Sequence, residues 1–223
     1  MPIPKTIYQT YKTSKLPLIT RWHIYRLRKI NPEYDYQFYD DQRIESFIKT
    51  EFDPTVYDLY KQIDIGAAKA DFFRYAILYK KGGVYLDIDS RILKKLDSII
   101  MPDDSAFISL ESNMKCYVQY ALFFDKGHPF LKRTLEVVID NLQNNRNPYD
   151  IHSMTGPTAF TNAIRECLAD SPETQYRQLD FDYNRMVQFS YPMSKTFLYG
   201  FSRKSHWKNQ SKTKPILKGV ETK

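Results

Sequence analysis

Four ionisable side chains stand close together in the sequence: Asp71, Arg74, Asp87 and Asp89. The first two are three residues apart, a spacing that puts both on one face of a helix. The last two are separated by one residue and follow the apolar run Val84-Tyr85-Leu86. Strand side chains repeat every second residue, so both carboxylates leave on the same side. Such a pair of oxygen ligands suits a hard divalent cation that stays partly hydrated while it binds a diphosphate. Arg74 is then placed to brace the carboxylates or a phosphate, and Asp71 to accept hydrogen bonds from a sugar hydroxyl. An isolated Asp-x-Asp is commonly a solvated turn; this one follows an apolar strand and a helix that already carries an acid and a base.

The elements that must position these groups are legible around them. From Gly66 to Tyr79, Ala67, Ala70, Phe73, Ile77 and Leu78 recur at the helical period. Gly82-Gly83 can take the left-handed conformation that ends such a helix. A strand then runs inward and delivers Asp87 and Asp89 near its C-terminal end. Upstream, Leu18, Trp22, Tyr25 and Ile30 predict a helix over 18–30 that Asn31-Pro32 ends. Tyr34, Tyr36 and Phe38 alternate as in a strand, Asp40-Asp41 caps a helix bearing Ile44, Phe47 and Ile48, and a further helix runs from Tyr57 to Ile63. Alternation of strands and helices favours a mostly parallel sheet, whose ligands bind beyond the carboxyl ends of the strands.

The run Ala68-Lys69-Ala70-Asp71-Phe72-Phe73-Arg74-Tyr75 with Gly82-Gly83-Val84-Tyr85-Leu86-Asp87-Ile88-Asp89 resembles the sugar-binding region of family 32 glycosyltransferases. More distantly it resembles the catalytic core of the clostridial glucosylating toxins. The resemblance implies an α/β GT-A fold, a Rossmann-like, mostly parallel sheet flanked by helices in a single domain. It implies transfer of a hexose from a UDP- or GDP-sugar, with retention of configuration, to a glycan, lipid-linked or protein acceptor. It also implies a divalent cation, Mn2+ with Mg2+ as the alternative. Asp71, Arg74, Asp87 and Asp89 would form the catalytic set, Asp89 and Asp87 holding the metal while Asp71, Arg74 and Asp87 contact the donor.

Further positions follow from the same resemblance. The opening Ile3-Pro4-Lys5-Thr6-Ile7-Tyr8-Gln9-Thr10-Tyr11 is similar to the family's Ile-Pro-Lys-Ile-Ile-His-Gln-Thr-Trp, with Tyr8 and Tyr11 in place of His and Trp. It assigns Thr10 and Tyr11 to the donor, Tyr11 either stacking on the base or only packing. Ser205-His206-Trp207 resembles a Ser-x-Trp that covers the donor diphosphate, so Ser205 and Trp207 are donor contacts; His206 is a metal-ligand or phosphate-donor candidate, or neither. Gln119, ahead of Gly127-His128-Pro129-Phe130, is a sugar or acceptor contact or a structural amide. Thr155 and Gly156, at the Thr-Gly-Pro that opens a helix, are acceptor-side candidates or an ordinary helix start. His128 reads as structural, before a helix carrying Leu131, Leu135, Val138 and Leu142. Strands are expected over Phe107–Leu110, over Tyr117–Phe124 and within Phe189–Phe201.

Composition bounds the rest. With 223 residues, 42% of them apolar, the chain supports one sizeable core. One catalytic domain over 1–207 is expected, then a basic tail over 208–223. The net charge of +7 is concentrated at the end, where residues 203–223 hold seven Lys or Arg against one Glu. Such a tail is commonly a flexible, solvated end, or it contacts an anionic membrane face. Cys116 and Cys167 lie in apolar segments and read as buried thiols, which suits a reducing compartment. With neither a bilayer-length apolar run nor a signal-peptide core, the expectation is a cytoplasmic enzyme, peripheral to a membrane at most, or a chain whose anchor has been removed. Two other classes fit parts of the sequence. One is a polyanion- or nucleic-acid-binding protein using the tail, although no specific nucleic-acid partner is expected; the other is a metal-dependent nucleotidyl- or phosphoryltransferase. No Gly-x-x-x-x-Gly-Lys loop supports the last.

Overall fold

Alternating side chains in the central strands of the main sheet separate two apolar layers, and that separation organises the molecule. The computed structural model describes residues 2–199 and 214–219. In chain order its elements are β1 (Thr6–Thr10), α1 (Leu18–Ile30), β2 (Asp35–Tyr39), α2 (Asp41–Glu51), α3 (Pro54–Gln62), α4 (Gly66–Lys81), β3 (Gly83–Leu86) and β4 (Arg91–Ile92). They continue with β5 (Ala106–Leu110), β6 (Ala121–Phe124), α5 (Pro129–Gln143), α6 (Ile151–Met154), α7 (Pro157–Asp170), β7 (Arg177–Phe181), β8 (Val187–Gln188) and α8 (Ser194–Tyr199). The main sheet has the order β2-β1-β3-β6-β5-β7, and β4 pairs with β8 in a separate antiparallel ribbon. Within the main sheet β6 alone runs against the others. The expected mostly parallel α/β sheet flanked by helices is therefore present.

Tyr8, Tyr85, Ile108, Leu122 and Phe124 point to the face covered by α2 to α7, whereas Ile7, Val84, Leu86, Phe107 and Phe123 point to the other face with Leu27, Leu96 and Tyr183. The helix α4 lies inside the first layer, with Phe72, Phe73, Tyr75, Ala76, Ile77 and Leu78 fully buried. It is apolar around most of its circumference because it is enclosed on most sides. It stops at Gly82, φ +68°, followed by Gly83 at φ +112°. A Cβ on Gly82 would lie 2.7 Å from the backbone nitrogen of Lys126, and one on Gly83 would lie 2.7 Å from the carbonyl oxygen of Thr6. The glycine pair thus supplies both the backbone angles and the room that let α4 turn straight into β3.

Two expectations are corrected. The strand expected over Tyr117–Phe124 is confined to Ala121–Phe124. Ahead of it, the Tyr117 N–H donates to Thr161 Oγ1, and the Gln119 carbonyl accepts from Arg74 instead of from a neighbouring strand. The strand expected within Phe189–Phe201 is instead the helix α8, preceded by β8 at Val187–Gln188. The helix expected over 18–30 is present as α1; its stripe Leu18, Trp22 and Tyr25 faces solvent, and its packed side is Thr20 and Leu27. β7, lacking strong alternation, was not expected at all.

Among the tail residues, Ile216 and Leu217 are buried, and Leu217 forms an antiparallel bridge with Ile63. The Asp64 N–H donates to the Ile216 carbonyl, and the Lys218 N–H to that of Gln62. Both cysteines are free thiols, Cys167 buried and Cys116 partly so. No helix among the described residues is long and apolar enough to cross a membrane.

Candidate active site

Arg74 is the hub. It leaves the buried middle of α4 and is itself 6% exposed. One terminal nitrogen, Nη2, lies 3.0 Å from Asp87 Oδ1 and 3.3 Å from Asp71 Oδ1, while Nη1 donates to the Gln119 carbonyl at 3.0 Å. Its guanidinium sits 4.9 Å from the centre of the Tyr85 ring, whose hydroxyl donates to Asp87 Oδ1 at 3.1 Å. Asp71 receives a further hydrogen bond from the Thr155 hydroxyl at 3.1 Å, and the Tyr75 hydroxyl donates to the Thr155 carbonyl. The helical i, i+3 pair and the strand-end carboxylate thus meet across one guanidinium, which fixes the rotamers of both acids.

The turn after β3 is held through its backbone. The Asp87 carbonyl accepts from Gln9 Nε2 at 3.1 Å and from the Ser90 hydroxyl at 2.7 Å, and Gln9 is oriented in turn by the Tyr36 hydroxyl. The Tyr191 N–H donates to the Asp89 carbonyl at 2.8 Å. Gln9 and Tyr191 went unnoticed in the sequence, where nothing local singles them out. Tyr85 had a usable signal, since it stands two residues before Asp87 and therefore on its side of the strand.

Burial raises the Asp71 pKa to about 7, against the opposing pull of Arg74 and Thr155. Burial, with the Asp87 charge beside it, also raises Asp89 to about 7. Asp87 is raised by burial and held back by Arg74 and the Tyr85 hydroxyl. For Arg74, burial disfavours the charged form, but Asp87, Tyr85 and Asp71 more than reverse this and keep it protonated. Arg74 thus pairs with two carboxylates while Asp89, beside Asp87, has no counter-charge within ion-pair distance among the described residues, and a second cation there would favour its ionised form.

Among the described residues, no three His, Cys, Asp or Glu side chains cluster to hold a metal unaided. Asp87 commits Oδ1 to Arg74 and Tyr85, and Asp89, 7% exposed, has no ion pair within 4 Å among the described residues. Two carboxylates with spare oxygens fit a hard cation that completes its shell with water and ligand phosphate.

The other expected positions are distributed as follows. Thr10 ends β1, with its hydroxyl committed to the Tyr39 carbonyl. The Tyr11 hydroxyl donates to the Leu198 carbonyl at 2.5 Å, leaving its ring half-exposed beside α8. Gln119 is buried and its Nε2, like Arg74 Nε, has no partner among the described residues. Gly156 precedes α7 with its Cα packed on the preceding turn: a Cβ there would lie 2.9 Å from His152 Cα and from the Ile151 carbonyl oxygen. His128 caps α5, its Nδ1 accepting from the Phe130 N–H. Ser205, His206 and Trp207 lie outside the described residues.

Residues 21–107 match the family described as "Glycosyltransferase sugar-binding region containing DXD motif". The chain is 29% identical over 185 residues to an uncharacterized glycosyltransferase, L373, of Acanthamoeba polyphaga mimivirus, covering 81% of this chain and 72% of that one. It is 32% identical over 158 residues to inositol phosphoceramide mannosyltransferase 3 of Schizosaccharomyces pombe, covering 70% of this chain and 43% of the relative. The chain thus spans less than half the length of that second relative. Among solved structures, the UDP-bound glycosyltransferase domain of the YGT toxin superposes with a TM-score of 0.58 at 10% identity, covering 80% of each chain.

Proposed function

This chain is a glycosyltransferase that carries the DXD-containing sugar-binding region, and on that premise we propose that it moves a hexose from a nucleotide-sugar with retention of configuration. The acceptor is a glycan, a lipid-linked sugar or a protein. The observation that carries the proposal is the Arg74 hub, which ties Asp71 of α4 to Asp87 at the end of β3.

In this reading Asp89 and Asp87 hold a divalent cation, Mn2+ before Mg2+, and that cation offsets charge on the leaving diphosphate when bound. Arg74 lends a second positive charge to the same oxygens and holds Asp87 in place. Asp71, fixed by Arg74 and Thr155, accepts from a sugar hydroxyl, and Asp87 contacts donor ribose or sugar. The unpartnered Gln119 amide donates to the sugar or the acceptor, since a buried donor is costly to leave unsatisfied. Tyr11 offers its ring to the base, with Thr10 beside it. Thr155 and Gly156 border the acceptor side, and Ser205 and Trp207, outside the described residues, are kept as donor contacts on the resemblance of their motif, with His206 as an additional ligand candidate. During transfer the bond between the anomeric carbon and the diphosphate oxygen breaks, and the acceptor oxygen bonds to that carbon from the same side. The acceptor proton passes to the departing phosphate, so no separate protein base is required. A UDP-bound toxin domain of the same fold supports UDP-sugars as the first donors to try, and the mannosyltransferase relative keeps mannose donors in view.

The test is a screen of UDP- and GDP-sugars for Mn2+-dependent hydrolysis, repeated with Arg74→Met. We expect turnover with at least one donor and its loss in the variant. No turnover with any donor, or full turnover in the variant, would overturn the proposal.

A further inference from the structure

The first 32 residues contain seven Lys or Arg and no acid, whereas residues 33–202 carry 19 Lys or Arg against 25 acids. Most of those early cations sit on or beside α1. Along that helix Leu18, Trp22 and Tyr25 form one stripe that is 80%, 48% and 60% exposed. Helical geometry extends the stripe to Lys29 and sets Arg21 and Arg28 on one flank and Arg26 on the other, all exposed. The Arg26 guanidinium lies 4.9 Å from the Trp22 ring centre. An apolar centre holding Trp and Tyr, edged by cations and free of acids, matches the headgroup region of an anionic bilayer: apolar side chains enter the acyl boundary while Arg and Lys meet lipid phosphates.

The helix is firmly attached on its other side. His23 stacks on Tyr191 with ring centres 3.9 Å apart, and the Thr20 and Tyr191 hydroxyls share a 2.7 Å hydrogen bond. Tyr191 in turn holds the Asp89 carbonyl, and Phe189 and Met193 beside it are 51% and 65% exposed. A surface seated on α1 is thus coupled to the acidic turn through Tyr191.

We propose that the outer face of α1 docks this protein on an anionic lipid bilayer, with the opposite side of the helix joined to the acidic turn through Tyr191. The idea stands apart from sugar transfer, because docking is read without turnover. The test is co-sedimentation of the full chain with vesicles of phosphatidylcholine alone, and of two parts phosphatidylcholine to one part phosphatidylserine. We expect binding to the mixed vesicles that weakens with salt. The variant Leu18→Ser/Trp22→Ser should lower partitioning at least about tenfold. Replacing Arg21, Arg28 and Lys29 by Gln should lower it about fivefold per cation. Circular dichroism and donor hydrolysis should stay unchanged in both variants. Absence of binding to either vesicle would overturn the proposal. So would binding that both variants retain, which would move the contact to the basic tail. Self-association abolished by Trp22→Ser, or salt-sensitive RNA binding without vesicle binding, would assign the face to another occupant and equally overturn it.

Discussion

Asp71 and Arg74 do opposite electrostatic work in one buried site, and each makes a distinct prediction. Replacing Arg74 by Met leaves Asp71 and Asp87 without their counter-charge, so we expect loss of turnover together with a drop in stability of about 3 kcal/mol, seen in denaturant titration. Replacing Asp71 by Asn keeps the shape and removes a carboxyl whose pKa burial raises to about 7. A carboxyl raised on folding binds more protons in the folded than in the unfolded chain between its ordinary range and pH 7, so its contribution to stability falls as pH rises through that window. His23 and His128, lowered chiefly by burial, push the other way. The comparison that isolates Asp71 is therefore the difference in Tm between the parent and Asp71→Asn. We expect Asp71→Asn to gain stability relative to the parent between pH 5 and pH 8. A relative loss over that range would contradict the shift. The identities of these residues were legible because helix and strand periods place them unaided. Their partners Gln9, Gln119 and Tyr191 were harder, since each reaches the site through a backbone contact that spacing does not encode.

At the scale of elements, the junction between α4 and β3 depends on Gly82 and Gly83. Gly82→Ala adds a Cβ against Pro4 and the Lys126 nitrogen at a positive φ, so we expect destabilisation of about 1–3 kcal/mol by thermal or urea melts. An unchanged midpoint would contradict the close approach. Gly156→Ala meets backbone within 3.0 Å on the preceding turn and should likewise destabilise before it affects any acceptor. These glycines, and the helices α1, α2 and α5, follow from local chemistry: caps, turns and three- and four-residue periods. The misread segments share a different cause. Residues 117–120 are apolar and β-prone, yet Thr161 and Arg74 take their backbone groups, a tertiary override that no local pattern records. Residues 189–199 are rich in aromatics, which suit either period, and α8 won.

For the molecule as a whole, the last described segment belongs to the core. Ile216 and Leu217 fill the layer around α3 and α4, and the bridge from Leu217 to Ile63 lies directly before α4. Leu217→Ala should cost about 2–4 kcal/mol and a truncation before Lys214 should cost more, measured by Tm. A truncated chain as stable as the parent would show that the segment is dispensable. Charge is also distributed at this scale, with cations at both ends of the chain and an acid-rich middle that holds the site. What joins these levels is the strand-end turn, held from below by Arg74 and from the side by Gln9 and Tyr191. The central claim is that Asp87 and Asp89 bind a divalent cation there together with a nucleoside diphosphate. Electron paramagnetic resonance of free Mn2+, titrated with the protein in the presence of UDP or GDP, measures this directly. We expect bound Mn2+ whose affinity rises with one nucleotide and collapses in Asp87→Asn/Asp89→Asn, with the fold retained. Equal Mn2+ and nucleotide binding by that double variant would contradict the account.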